Sequence, residues 1–345
     1  MIIYDERQKQ SLFEFGIEIP VHDSRAINTF QQLKDHPRLG PHIKTWHIDS
    51  INEKITRDDL QRVHSRGFVE NLFSDRLEQE IIRTYELIDD NGRYHRYDPA
   101  NASQPLINLF DRILLKVAAT VQCCRVALNS GFCFSFGGGN HHAQLDYGAG
   151  FCLLNDIVIA VRKLQAEDVI RTAWVIDLDA HKGDGTAALT LEDDSIKTLS
   201  IHMAHGWPLD GEPYDSDGNL NPSFTASDID IPVEAGQDDM YLDLLQEGLR
   251  TLEKNALPDL AMVVSGVDPY EKDELPSADE LKLSLAQMKQ RDQRVYSFLK
   301  ERRIPRAYLM AGGYGEKSWE VYTQFLEWVL LDRLDTFYLS SFSKK

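Results

Sequence analysis

The 345-residue chain has only four cysteines, Cys123, Cys124, Cys133 and Cys152, and none of them forms a Cys-x-x-Cys pair. A thiolate zinc site is therefore disfavoured, and the thiols fit a reduced compartment as small buried apolar groups. Basic clusters are also missing. Against 55 acidic residues stand 37 Lys and Arg, for a net charge of −18. Direct nucleic-acid binding is disfavoured, and an acidic surface favours cationic ligands or serves solubility. No apolar run approaches the length of a membrane span. The N-terminus Met1-Ile2-Ile3-Tyr4-Asp5-Glu6-Arg7 lacks a signal-peptide pattern, so a cytoplasmic protein is expected. There is no internal repeat and no low-complexity segment. What remains is the composition of an ordinary globular protein, 42% hydrophobic and 27% charged.

The pattern along the chain becomes regular after an irregular first third. Thr56-Arg57-Asp58-Asp59 precedes the apolar spacing Leu60, Val63, Phe68, Val69, Leu72, which predicts an N-capped helix with Asp59 in the capping-box position. Residues 89 to 105 are rich in turn formers and read as a long surface loop. Leu106 to Leu128 has helical spacing and small residues, as in a buried helix. Strand-like runs follow at Phe132–Phe136, Ala173–Ile176, Thr198–Ile201, Ala261–Val264 and Ala307–Met310. Helix-length segments lie between several of them, at Asn155–Gln165, Asp239–Lys254 and Ala278–Arg302. The alternation predicts one α/β domain over residues 1–345: three α/β/α layers around a central, mostly parallel sheet.

Each apolar run ends in a polar or glycine-rich motif. These are Gly137-Gly138-Gly139-Asn140-His141-His142, Asp177 to Gly185, His202-Met203-Ala204-His205, Ser265-Gly266-Val267-Asp268 and Gly312-Gly313-Tyr314-Gly315. In open α/β sheets, sites form beyond the carboxyl ends of the strands, so five such motifs would converge on one pocket. The most telling is Trp174-Val175-Ile176-Asp177-Leu178-Asp179-Ala180-His181. Alternate residues of an extended chain share a face, which brings Asp177, Asp179 and His181 together at the end of a buried strand. Hard oxygens with one imidazole suit a divalent metal such as Zn²⁺.

In order, the motifs Gly-Gly-x-His-His-Ala, Gly-x-Gly-Phe-Cys-x-x-Asn-Asp, Asp-x-Asp-x-His-x-Gly-Asp-Gly-Thr, Ser-Gly-x-Asp and Gly-Gly-Tyr span about residues 15 to 320. The chain in this respect resembles the zinc-dependent histone deacetylase family, most closely its class IV and related bacterial members. Pro20-Val21-His22-Asp23-Ser24-Arg25 and Leu60-Gln61-Arg62-Val63-His64 resemble that family's first loop and following helix.

The resemblance implies roles. Asp179, His181 and Asp268 match the three ligands of a single zinc, leaving a position open for water and substrate. His142 matches the general base that activates the water and then protonates the leaving amine. His141 matches a charged, steering histidine. Asp177 and Asp184 match their respective carboxylate partners. Asp177 is thus removed from the first-guess ligand set. Tyr314 matches the tyrosine that donates to the acyl oxygen. Gly150, Phe151 and Cys152 match the lining of an acyl-lysine tunnel, with Trp207 a candidate for the opposite wall. Leu275 matches an apolar rim position at which a polyamine-specific relative has glutamate; Glu274 is its neighbour here. A structural K⁺ would use Asp177, Ser200 and the carbonyls of Asp179, His181 and Ile201. Arg25 is placed at an inner acetate-exit cavity or in a surface salt bridge.

The C-terminal run from Trp319 to Tyr338, with Phe325, Trp328, Val329, Leu330, Leu331 and Leu334, has helical spacing. It predicts a C-terminal helix over 319–345 that packs on the domain, with a homo-oligomer contact as the alternative. The expected activity is hydrolysis of an N-acyl-lysine, in a protein, a peptide or a small acylated amine. Two other readings remain. One is an arginase-like ureohydrolase with two metals, from which Gly183 withholds an expected aspartate. The other is an acyl-lysine-binding module without turnover.

Overall fold

The computed structural model describes residues 1–9 and 11–342. Residues 343–345 of the expected C-terminal helix lie outside the described residues, as do the side chains from residue 337 onward. Among the described residues, eight strands form one sheet: β1 (Ile2–Ile3), β2 (His47–Ile48), β3 (Phe132–Ser135), β4 (Ala173–Asp177), β5 (Ile196–Met203), β6 (Ile229–Val233), β7 (Leu260–Ser265) and β8 (Arg306–Met310). Their order is β2-β1-β3-β8-β7-β4-β5-β6, and every neighbouring pair is parallel.

The central strands are apolar on both faces because helices cover both. Phe132, Phe134, Trp174, Ile176 and Tyr308 face one layer, made by the helices Ser24–Asp35, Tyr241–Leu252, Leu285–Glu301 and Ser318–Phe342. The intervening residues Cys133, Val175, Ala307 and Leu309 face the other, made by Leu109–Ser130 and Asp156–Ala166. This is the three-layer α/β/α architecture that the alternation of strands and helices predicts. A third apolar cluster, including Phe68, Leu72, Ile81, Phe110 and Leu153, stands beside the second layer and supports the loops that flank the site.

Four sequence expectations need correction. Strands β1, β2 and β6 were not foreseen: two of them have only two residues, and β6 contains Pro232, tolerable because it is an edge strand. The helix expected from Thr56 onward is two short ones, Arg57–Gln61 and Arg66–Leu72. The break places His64, whose Nδ1 lies 2.8 Å from the Gln144 carbonyl and whose Nε2 accepts from the Asn155 amide. The helix expected from Ala278 starts at Leu285, where Ser284 and Gln287 form a reciprocal capping box. Finally, Leu106–Ser130 does reach the length and hydropathy of a membrane span, yet it packs on β3, β8 and the helix Asp156–Ala166 as a core helix.

The C-terminal helix lies on the first layer, with Val321, Tyr322, Phe325, Leu326, Val329 and Leu330 buried. All four cysteines are buried and unpaired.

Candidate active site

Strands β3, β8, β7 and β4 are adjacent, and their carboxyl ends deliver four of the five motifs to one place. Leaving β4, the chain runs Asp177, Leu178, Asp179, Ala180, His181, and the side chains divide. Asp179, His181 and Asp268, the last from the loop after β7, are fully buried, and their ligand atoms all lie within 4.8 Å of one another. His181 Nδ1 lies 3.2 Å from Asp179 Oδ1 and 3.1 Å from Asp268 Oδ2. Its Nε2 faces the Ser277 carbonyl at 3.2 Å. With Nε2–H donated to that carbonyl, a ring neutralised by a cation in the cluster would turn its Nδ1 lone pair toward that cation.

The donor set suits a divalent cation. Burial opposes charge on His181, but Asp179 and Asp268 outweigh it and hold the imidazole up to about 10. Burial and then the charge of Asp179 push Asp268 upward from the usual carboxylate range. Two like charges forced together in a dry site seek a cation. Backbone closes around them: the Gly312 amide donates to Asp179 Oδ2 at 2.9 Å, and the Ala180 amide to Asp268 Oδ1 at 3.0 Å. A Cβ at Gly312 would stand 2.4 Å from Asp179 Oδ2 and 2.6 Å from Asp268 Oδ2. Gly312→Ala is accordingly expected to weaken divalent-metal binding at least about tenfold, the scale of a disturbed ligand shell. Metal titration of purified protein would read it, and unchanged affinity would contradict the close fit.

Beside the cluster stand two histidine–carboxylate pairs. His141 Nδ1 is 2.6 Å from Asp177 Oδ2, and His142 Nδ1 is 2.7 Å from Asp184 Oδ1. The rings lie 3.8 Å apart between centroids, too close for both to be charged without cost. Their environments separate them. Burial opposes protonation of His141, but Asp177 and Asp179 overcome it and raise it to about 9. Burial and then the charge on His141 lower His142 to about 4. Near neutral pH one is an imidazolium and the other a neutral imidazole with Nε2 free to accept a proton. Opposed pKa values in adjacent groups mark acid and base roles.

Asp184 accepts also from Gln144 Nε2 and Ser223 Oγ, both at 2.9 Å. Sequence reading missed Gln144, Ser223 and Ser277. Gln144 sits two residues after the tandem histidines and carried a positional hint; Ser223 comes from a distant loop and carried none.

Tyr314 follows β8, and its amide donates to Asp273 Oδ2 at 2.7 Å. Burial first, then the charges of Asp179 and Asp268, drive its hydroxyl far above the usual phenol range, so it stays a donor. It shares a cleft of ≈ 170 Å³ with His142, His181, Gly150, Phe151, Trp207 and Leu275. Gly150 and Phe151 both have left-handed backbone, with φ of 53° and 65°. For a bulky residue this is strained, and it turns the Phe151 ring into the cleft. A Cβ on Gly150 would meet the Trp207 ring at 2.3 Å. Trp207 stands on the opposite side, 4.4 Å from the His142 ring. Leu275 lies at the rim, whereas Glu274 turns to accept from the Glu316 amide.

Cys152 does not share this cleft. It lines an inner chamber of ≈ 80 Å³ behind His141, His142 and Tyr314, together with Arg25, which donates to the carbonyls of Ala311 and Gly313. Asp177 and Ser200 are partners in the β4–β5 register, but His202 and His205 do not reach the cleft.

Chemistry gathered at the carboxyl edge of a doubly covered parallel sheet places the molecule among α/β enzymes. More narrowly, the chain belongs to the histone deacetylase family: the model described as "Histone deacetylase domain" matches residues 19–328. An uncharacterized protein of Picosynechococcus sp. is 32% identical over 206 residues, 59% of this chain and 63% of that one. Histone deacetylase 2 of Arabidopsis thaliana is 28% identical over 61% of this chain and 52% of its own length. The matches thus span about half to two thirds of those two relatives. Acetoin utilization protein AcuC of Staphylococcus aureus is 26% identical over 96% of this chain and 81% of its own. The solved HDA15 HD domain shares the fold, with a TM-score of 0.67 at 20% identity over 95% of this chain and 88% of that one.

Proposed function

We propose that this protein is a zinc-dependent hydrolase that removes an acyl group from the side-chain amine of an N-acyl-lysine. The observation that carries the reading is the convergence of a buried Asp–His–Asp donor set, a neutral and a charged His–Asp pair, and a protonated tyrosine where one narrow cleft meets the chamber behind it. Zinc held by Asp179, His181 and Asp268 would supply a Lewis acid that polarises the acyl carbonyl and acidifies water. His142 Nε2 takes a proton from the attacking water and later delivers it to the departing amine. Asp184 holds the ring for both transfers. The Tyr314 hydroxyl donates to the oxyanion, and the charge on His141 favours its formation. Phe151 and Trp207 flank the methylene stem of the lysine, a slim apolar chain that suits a slot between rings. The oxygen-only set of Asp177, Ser200 and the carbonyls of Asp179, His181 and Ile201 would suit K⁺.

A second metal of the arginase kind is disfavoured by residue 183. A Cβ there would stand 2.3 Å from Asp177 Oδ2, so no ligating side chain fits without displacing Asp177.

Zinc-loaded protein is expected to release acetate from an acetyl-lysine peptide and leave its lysine amine free, and Tyr314→Phe is expected to slow turnover at least about tenfold. A hydroxamate chelator should stop the reaction. No hydrolysis across acetyl- to myristoyl-lysine peptides would leave the binding-module reading instead.

A further inference from the structure

The inner chamber holds a feature the reaction does not use. Lys116, on the helix Leu109–Ser130, lines it at 5% exposure. Its ammonium makes no hydrogen bond or ion pair with any described residue. Gln8, at 4% exposure, lines the same wall. Its Oε1 is taken by the Asp5 amide in a capping box, which leaves Nε2 buried with no partner among the described residues. Both groups lie beside Gly137: a Cβ there would stand 3.3 Å from Gln8 Nε2 and 3.6 Å from Lys116 Cγ. Arg25 adds a guanidinium to the chamber.

The nearby carboxylates do not discharge these donors. Asp156 already accepts from Thr120, the Gly139 amide and both nitrogens of Asn140. Asp23 accepts from the Ser11 amide and hydroxyl at 3.0 and 2.7 Å. Burial, and then the like charge of Arg25, bring Lys116 down to about 7. An unpaired buried ammonium is costly, and so is an unpaired buried amide. An anion in the chamber would relieve both.

Position decides which anion. The catalytic groups adjoin the chamber on the Gly150 side, where a Cβ would stand 2.6 Å from the His142 ring. The orphan donors lie on the Gly137 side. An acyl group entering from the outer cleft would present its carbonyl to His142 and Tyr314 and its far end toward Lys116 and Gln8. At ≈ 80 Å³ the chamber has room for a short chain but not for a long alkyl tail.

We propose that Lys116 and Gln8 select short acyl groups that end in a carboxylate, of the succinyl class, on the lysine substrate. The assignment rests on the acyl-lysine hydrolase reading. Water adds across the amide, the C–N bond breaks, the lysine amine leaves protonated, and the acyl chain departs as a dicarboxylate. Lys116 and Gln8 take no part in bond making; they hold the distal carboxylate.

The test compares kcat/KM of the zinc-loaded enzyme on three versions of one peptide, bearing acetyl-, butyryl- or succinyl-lysine. Butyryl has the four carbons of succinyl with a methyl in place of the distal carboxylate. Succinyl is expected to exceed butyryl at least about tenfold, the scale of a buried charge-assisted hydrogen bond. Lys116→Met should bring the succinyl-to-butyryl ratio down at least about tenfold, and Gln8→Leu should lower it in the same direction. The wild-type ratio stands as a result even where a variant folds poorly. Cleavage of acetyl-lysine with succinyl no better than butyryl overturns this assignment and leaves the hydrolase reading intact. A ratio unchanged in both folded variants also overturns it. No cleavage of any of the three peptides overturns this assignment, and the hydrolase reading is then decided separately by the acetyl- to myristoyl-lysine peptides.

Discussion

Asp268→Asn is expected to abolish both zinc retention and turnover while leaving the fold in place. Asparagine keeps an oxygen where Asp268 Oδ1 accepts the Ala180 amide at 3.0 Å. What changes is the other atom, the Oδ2 that faces His181 Nδ1 at 3.1 Å. An amide there carries no charge and aims N–H bonds at the place a cation would take. Loss of a several-kcal/mol electrostatic contribution to the transition state corresponds to about a thousandfold in rate. Metal content by atomic absorption, together with acetyl-lysine peptide turnover, reads both effects. Full metal occupancy with normal turnover would remove Asp268 from the ligand set. Thermal melting should differ little from the metal-stripped parent, because the apolar layers are untouched.

His142→Ala comes second, with turnover down about 10²–10⁴-fold, the range for a positioned general base. The sharper experiment concerns its neighbour. His141 owes its raised pKa to Asp177 and Asp179, which overcome burial. A raised pKa keeps the ring protonated to higher pH, so activity that needs the imidazolium persists until pH passes about 9 and then falls. Asp177→Asn removes one of the two sustaining charges, and the proton is then lost at lower pH. The alkaline limb of the kcat/KM profile is expected to move toward neutral pH, while the acid limb, governed by His142, moves little. An alkaline limb that stays put would mean that His141 need not be charged.

Much of this site was legible because its side chains come in short local patterns at the ends of long apolar runs. The alternation in Asp177-Leu178-Asp179-Ala180-His181 places three groups on one side of a strand, although geometry then divides them: Asp179 and His181 face Asp268, and Asp177 faces His141. The supporting groups were harder to see. Ser277 acts on His181 through a carbonyl, and every residue has one. Ser223 reaches Asp184 from a loop 39 positions away. The donors of the inner chamber come from residues 8 and 116, which no local pattern joins. In the fold, two-residue strands such as β1 and β2 are too short to show a period of two. The late start of the helix at Leu285 was legible in the Ser284–Gln287 capping pair, which outweighs the propensity of the residues before it.

The sheet order has a consequence for how the molecule comes into being. Strand β8 is the last of the eight described strands in chain order, yet it sits between β3 and β7 in the middle of the sheet. Until residues 306–310 leave the ribosome, the strands that carry His141 and Asp268 have no common neighbour, and Tyr314 cannot reach them. Function is therefore all-or-none with respect to length. A nascent chain stopped between β7 and β8 holds two half-sheets with exposed edges and an unclosed site, in which unpaired edges invite aggregation. Premature truncations of this protein should behave as insoluble fragments rather than as weak enzymes.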